Sequence, residues 1–90
     1  MIRIMTAAEP NLITVTVDGD LSGEYLDAVE NCVKQALARP SPTALFLRDV
    51  SIIDEKGRAL LVRLAAKGVR LRATGVYSSY IVARISKSAA

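Results

Sequence analysis

Residues 43–57 read TALFLRDVSIIDEKG, and this stretch decides the fold. It begins with an apolar run at residues 44–47, which is too short for a helix and suits a central strand covered on both faces. Two further isoleucines follow at residues 52–53 after a short polar interruption. Asp54 then stands where a helix cap is expected. The stretch therefore predicts a buried strand that leads directly into a helix.

The rest of the chain alternates between strand patterns and helix patterns. Alternation of apolar and polar residues predicts strands at residues 2–5, 12–17 and 69–73. Apolar residues at three- and four-residue spacing predict helices at residues 24–39, 55–67 and 77–85. This order predicts an α/β fold with a single mixed, mostly parallel sheet of about four strands and two to three helices packed on it. Ninety residues leave room for one domain, residues 1–90.

The composition argues against most catalytic and metal-binding chemistry. The chain contains no histidine and one cysteine, Cys32, so it lacks the ligands of a zinc or iron–sulfur site and the commonest general base. Cys32 is expected to be a small buried residue rather than a reactive thiol. Asp49, Asp54 and Glu55 could hold a magnesium ion, although a helix cap and a first-turn carboxylate explain the last two more simply. We therefore expect a protein that is not an enzyme and has no metal or other cofactor.

Several features predict a cytoplasmic location. No window of about 18 apolar residues exists, so no membrane span is expected. The first residues lack the charged region and apolar run of a secretory signal. A single cysteine also fits a reducing compartment.

The charge is unevenly distributed along the chain. Residues 1–55 hold nine acidic residues against four basic ones, whereas residues 56–90 hold eight basic residues and no acidic one. Such asymmetry can mark a surface for nucleic acid or an acidic partner, or simply a solvated face. The basic residues concerned are Lys56, Arg63, Lys67, Arg70 and Arg72. Because no nucleic-acid-reading motif accompanies them, we expect nucleic acid not to be the partner.

Two motifs resemble a known family. Gly19-Asp20-Leu21 follows a strand, and residues 45–57 end in Asp54-Glu55-Lys56-Gly57. This order resembles the STAS domain of bacterial anti-sigma factor antagonists over about residues 12–74. In that family a strand and a short connection ending in an apolar–Asp–Ser–Ser/Thr–Gly pattern lead into a helix rich in Leu and Ala.

The resemblance implies a regulatory module that binds another protein. In the antagonists, a kinase-type anti-sigma factor phosphorylates the serine directly after the aspartate, and the phosphate breaks the complex. Glu55 occupies that position here, so phosphorylation at the usual site is chemically impossible. Glu55 either imitates part of the charge of a phosphoserine or is only a favourable first-turn residue.

The resemblance also implies where partners bind. The expected partner-binding residues surround the start of the second helix and continue along it: Asp54, Glu55, Lys56, Gly57, Arg63 and Lys67. The partner would be an anti-sigma factor kinase or a sensory or transport complex that contains the chain as an accessory subunit. Many members carry a further strand and helix, so an uncovered sheet edge is expected, and Arg70 and Arg72 are the candidates to protect it. Such an edge can pair with another chain, which leaves a homodimer open.

A third interpretation concerns residues 77–80, which read Tyr-Ser-Ser-Tyr. These hydroxyl groups could serve a small-molecule sensor or a minor enzyme. Capping of the last helix by Ser78 or Ser79 is the alternative, just as Ser22 is expected to cap the first helix.

Overall fold

The computed structural model describes the backbone of residues 2–89 and the side chains of residues 2–85. Four strands and three α-helices follow one another in this part of the chain. They are β1 (Ile2–Glu9), β2 (Leu12–Leu21), α1 (Leu26–Leu37), β3 (Thr43–Ile53), α2 (Glu55–Ala66), β4 (Arg70–Ala73) and α3 (Val76–Ala89). A 3₁₀ turn at Gly23–Tyr25 precedes α1. The predicted α/β fold is confirmed.

The strands form one mixed sheet in the order β1-β2-β3-β4. β1 is antiparallel to β2, and the pairs β2–β3 and β3–β4 are parallel. Both parallel connections step in the same direction across the sheet, and right-handed crossovers of this kind put their helices on the same face. The predicted mixed, mostly parallel sheet with helices packed on it is therefore correct.

The apolar core lies between the three helices and one face of the sheet. Its members are almost entirely buried. β2 contributes Ile13, Val15 and Val17, β3 contributes Leu45 and Leu47, and the helices contribute Val29, Val33, Leu60, Leu61, Leu64, Val82 and Ile85. The β2 residues between Ile13, Val15 and Val17 have their side chains on the opposite face of the sheet, because successive side chains of a strand alternate between its two faces.

The other face of the sheet carries no helix within the described residues. Thr16, Phe46 and Arg72 lie side by side on it, one on each of three adjacent strands. Phe46 is only partly buried there. The prediction that β3 is covered on both faces is wrong, because both crossovers place their helices on the same side. We call the face of the sheet that carries no helix in the described residues the uncovered face.

β3 continues through the polar interruption that the sequence suggested. Val17 pairs with Leu47 and Gly19 pairs with Val50, so β3 contains one residue more than β2 in this interval. Asp49 takes up the extra length with a left-handed backbone, at a φ of 53°. This β-bulge changes the alternation of side chains, and as a result both Leu47 and Val50 are buried.

The structure confirms the predicted cap of α2 but not the predicted caps of the first and last helices. α2 begins with Asp54 as its cap, as predicted, and Gly68 follows its end with a φ of 92°. Ser22 makes no capping hydrogen bond, and a 3₁₀ turn separates it from α1. α3 begins at Val76, so neither Ser78 nor Ser79 stands at its cap position. The capping predictions for the first and last helices are therefore wrong.

An ion pair on the uncovered face joins β2 to the bulge. Arg48 donates from Nε and Nη2 to the two carboxylate oxygens of Asp18, at 2.9 and 2.7 Å. These hydrogen bonds hold the pKa of Asp18 below its ordinary value of 3.8 and raise the pKa of Arg48. The ionised carboxylate of Asp18 therefore favours the folded protein.

Replacement of Arg48 by methionine is expected to raise the pKa of Asp18 toward its ordinary value. In the native chain the carboxylate stabilises the fold above the unfolded-state pKa, and this contribution is lost as pH falls through the lower folded-state pKa. The variant should lack this acid-dependent part of the stability. NMR titration of the Asp18 carboxyl carbon checks the shift, with Arg58→Met as a control on α2. An unchanged pKa in the Arg48 variant would contradict the assignment.

Candidate functional site

The carboxylate of Asp54 joins the start of α2 to the segment that follows β2. Its Oδ1 accepts a hydrogen bond from the backbone N–H of Gly57 at 2.7 Å, and its Oδ2 accepts one from the N–H of Gly23 at 3.1 Å. The backbone N–H of Asp54 also donates to the carbonyl of Leu21 at 3.3 Å. One side chain thus acts both as the cap of α2 and as a link across more than thirty residues of sequence.

Gly57 permits a close approach between α2 and the end of β2. A Cβ atom on this residue would lie well under 3.0 Å from the carbonyl oxygen of Leu21, a separation that real Cβ atoms essentially never show. Only glycine fits at this place without movement of the backbone. The two motifs that carried the resemblance, at residues 19–21 and 54–57, therefore meet in space.

We call the contact between residues 21–23 and residues 54–57 the junction, and Glu55 and Lys56 lie on its outer surface. Both are exposed, and Glu55 is the acidic residue in the first turn of α2. A carboxylate here is favoured by the partial positive charge at the N-terminal end of the helix. The junction consequently presents one fixed negative charge and one positive charge on a backbone that Asp54 and Gly57 hold in place.

A groove of about 340 Å³ runs between α1 and α2 next to this junction. Asp27 and Glu30 stand on its α1 side, and Lys56 and Arg63 stand on its α2 side. Arg63 donates to Glu30 across the groove at 3.4 Å. Because the Arg63 side chain is about half exposed, this ion pair contributes little to stability. The groove therefore offers charges of both signs to a docking protein.

The predicted partner-binding residues do not all lie together. Asp54, Lys56, Gly57 and Glu55 form the junction, and Arg63 borders the groove. Lys67 follows the far end of α2, about 18 Å along the helix axis from the junction. It is exposed but belongs to a different part of the surface.

The five basic residues considered for nucleic acid are divided between two surfaces. Lys56, Arg63 and Lys67 belong to α2, in the helix layer. Arg70 and Arg72 pair with Ala44 and Phe46 on the uncovered face, on the opposite side of the sheet. They therefore do not form one continuous basic stripe.

The structure brings no metal-binding set together. Within the residues it describes, no three side chains of the His, Cys, Asp or Glu type lie close enough to hold a metal ion. Asp54 instead uses both oxygens for backbone N–H groups. Cys32 is partly buried and packs against the core.

The hydroxyl groups of residues 77–79 attach α3 to the strands. The Tyr77 hydroxyl accepts from the N–H of Ile53 at 3.1 Å and donates to the carbonyl of Ile53 at 3.2 Å. The buried Ser78 hydroxyl donates to the carbonyl of Val50 at 2.7 Å, and that of Ser79 donates to Ala73 at 3.3 Å. Their contacts are those of packing residues.

The sequence did not indicate two members of this region. Gly23 binds Asp54, and its left-handed φ of 54° is a conformation in which glycine is favoured. Tyr77 holds the residue directly before Asp54, although 24 positions separate Tyr77 from Ile53. A glycine after a strand was the only available signal for the first contact, and nothing in the sequence indicated the second.

Comparison with known proteins does not assign the chain to a group. No model of a known protein family matches it, and no curated protein matches it either. Each helix in the described residues falls short of the length and apolar character needed to cross a bilayer. The geometry of the junction and the groove is therefore the basis for assigning a function.

Proposed function

We propose that this chain is a non-catalytic STAS-type module that resembles an anti-sigma factor antagonist and binds another protein through the start of α2. One observation carries the proposal. Asp54 and Gly57 fix the backbone of the junction, while the neighbouring Glu55 and Lys56 remain exposed. Residues that are held this firmly and still face solvent are suited to contact a partner rather than to fill a core.

A junction whose backbone is already fixed favours binding, because little conformational entropy is lost when the partner binds. In the proposed complex, the partner contacts Glu55 and Lys56 and also the groove between α1 and α2. Its surface needs charges that complement Asp27 and Glu30 on one side and Arg63 on the other. We propose an anti-sigma factor kinase or a sensory or transport complex as the partner, in the cytoplasm.

The absence of a hydroxyl group at the position of Glu55 has a direct consequence for regulation. A partner kinase cannot release itself by phosphorylating this residue, because a carboxylate here replaces the serine of the antagonists. A carboxylate has at most one negative charge, whereas a phosphoserine carries nearly two near neutral pH. The proposed interaction is therefore not switched at the usual site.

Replacement of Glu55 by serine is expected to weaken partner binding about fivefold, because it removes an exposed charge contact with the partner, and such contacts contribute up to about 1 kcal/mol. Affinity capture from the native cell lysate identifies the partner, and calorimetric titration then compares the native chain with Glu55→Ser. Arg39→Ser, an exposed position beyond the end of α1, serves as a control away from the start of α2. Tighter binding by Glu55→Ser would mean that Glu55 imitates a phosphate. Equal binding by both chains would remove Glu55 from the contact surface.

A further inference from the structure

Within the part of the chain that the structure describes, the outer edge of β1 is a long strand edge without a partner in the sheet. β1 spans eight residues, Ile2–Glu9, and lies at the end of the strand order. It contains no proline and no bulge, and its only charged residues are Arg3 and Glu9. The opposite edge, β4, has only four residues and carries Arg70 and Arg72. Natural sheets usually protect edges by shortness, charge, proline or bulges, and β1 has almost none of these devices.

The register of β1 fixes which of its backbone groups face outward. Pro10 and Asn11 form a two-residue turn, so the flanking pair Glu9 and Leu12 is hydrogen-bonded. In an antiparallel pair, hydrogen-bonded pairs recur at every second residue. The backbone N–H and C=O groups of Arg3, Met5, Ala7 and Glu9 therefore point toward β2. The outward groups belong to Ile2, Ile4, Thr6 and Ala8.

We propose that two copies of this chain pair through the outer edges of their β1 strands, antiparallel and centred on Thr6. In this arrangement Thr6 lies opposite the partner's Thr6, and Ile4 lies opposite the partner's Ala8. About six backbone hydrogen bonds form between the outward-facing groups. The result is one continuous sheet with twofold symmetry, the commonest symmetry among homo-oligomers.

Charge complementarity selects this partner and this register. Arg3 and Glu9 stand at opposite ends of β1 on the uncovered face, and both are exposed. Antiparallel pairing centred on Thr6 places Arg3 opposite the partner's Glu9, twice in each dimer. These are non-hydrogen-bonded pairs, in which the side chains approach most closely. A shift of the centre of symmetry to Met5 would place Arg3 opposite Ala7, and a shift to Ala7 would place Arg3 opposite Asn11.

The surroundings of the edge leave space for a second strand. Thr6 and Ala8 are exposed even though they point toward the helix layer. A hollow of about 210 Å³ adjoins Thr6 and is bordered by Cys32 and Ala36 of α1. α1 therefore does not cover the rim of the sheet. On the uncovered face Met5 is 41% exposed, and pairing would place it beside the partner's Ala7.

A charge exchange tests the proposal on the full chain by sedimentation equilibrium. Arg3→Glu and Glu9→Arg, made singly, are each expected to weaken dimerisation about tenfold, because two attractive pairs become repulsive. The double variant should regain the native dissociation constant within about threefold. Glu24→Arg and Arg58→Glu are matched controls away from β1 and should leave dimerisation unchanged. A native chain that stays monomeric at millimolar concentration would overturn the proposal, as would a double variant that dimerises no better than the single ones.

Amide exchange followed by NMR provides a second readout that does not depend on any variant. The N–H groups of Ile4, Thr6 and Ala8 should be protected at concentrations where the dimer forms and should exchange freely on dilution. Those of Met5 and Ala7 bond to β2 and should be protected in both states. A dimer in which Ile4, Thr6 and Ala8 remain unprotected would overturn the assignment to this edge.

Discussion

Replacement of Gly57 by alanine is expected to lower the free energy of unfolding by about 3 kcal/mol, or to prevent folding altogether. The added Cβ would lie well inside contact distance of the Leu21 carbonyl oxygen. That oxygen belongs to backbone at the end of β2, so it cannot turn away as a flexible side chain would. The same oxygen also accepts from Asp54, and moving it breaks that hydrogen bond as well.

The sign of this effect is informative. In an unconstrained helix, exchange of glycine for alanine stabilises by about 1 kcal/mol, because alanine has the higher helix propensity. Chemical denaturation of Gly57→Ala should show the opposite sign. Gly68→Ala is the matched control: no atom lies within 4 Å of its added Cβ, and only the strain of its left-handed backbone is expected, about 1 kcal/mol. Losses of equal size in both variants would contradict the proposed close contact.

Replacement of Asp54 by alanine is expected to cost about 2 kcal/mol of stability. Removal of the helix cap accounts for about 1 kcal/mol, and loss of the hydrogen bond from Gly23 to a charged acceptor accounts for a similar amount. The variant should also bind the partner less well, because the junction is no longer fixed. Denaturant unfolding measures the first effect, and calorimetric titration with the captured partner measures the second.

Two further variants separate these contributions. Asp54→Asn keeps one acceptor oxygen and should lose about half as much stability as Asp54→Ala. Glu55→Ala removes an adjacent exposed carboxylate, so a loss of only about 0.5 kcal/mol is expected. If Asp54→Ala were no more harmful than Glu55→Ala, Asp54 would not join the two segments in solution.

The order of strands and helices could be predicted because its signals are local. The alternation around Ile13 and the spacing around Leu60 each report on a few neighbouring residues. The cap at Asp54 is likewise a contact within a single turn, to Gly57. The uncovered face was missed because the run at residues 44–47 is equally apolar whether helices cover one side of β3 or both.

The candidate site could be located from the sequence but not explained by it. The pattern Asp54-x-x-Gly57 marked the position, whereas its purpose depends on Leu21 and Gly23, which are more than thirty residues away. The bulge at Asp49 could not be predicted either, since a φ of 53° is uncommon for any residue other than glycine. Contacts across such separations arise only when the sheet assembles.

The hydrogen bonds between Tyr77 of α3 and Ile53 give the protein an intrinsic spectroscopic probe near the start of α2. The chain contains three tyrosines and no tryptophan, so its near-ultraviolet absorption and fluorescence come almost entirely from phenol rings. The phenol of Tyr77 is bonded through its hydroxyl to the residue directly before Asp54. A partner that contacts the start of α2 should therefore change the circular dichroism and emission of Tyr77, which allows docking to be followed without a label.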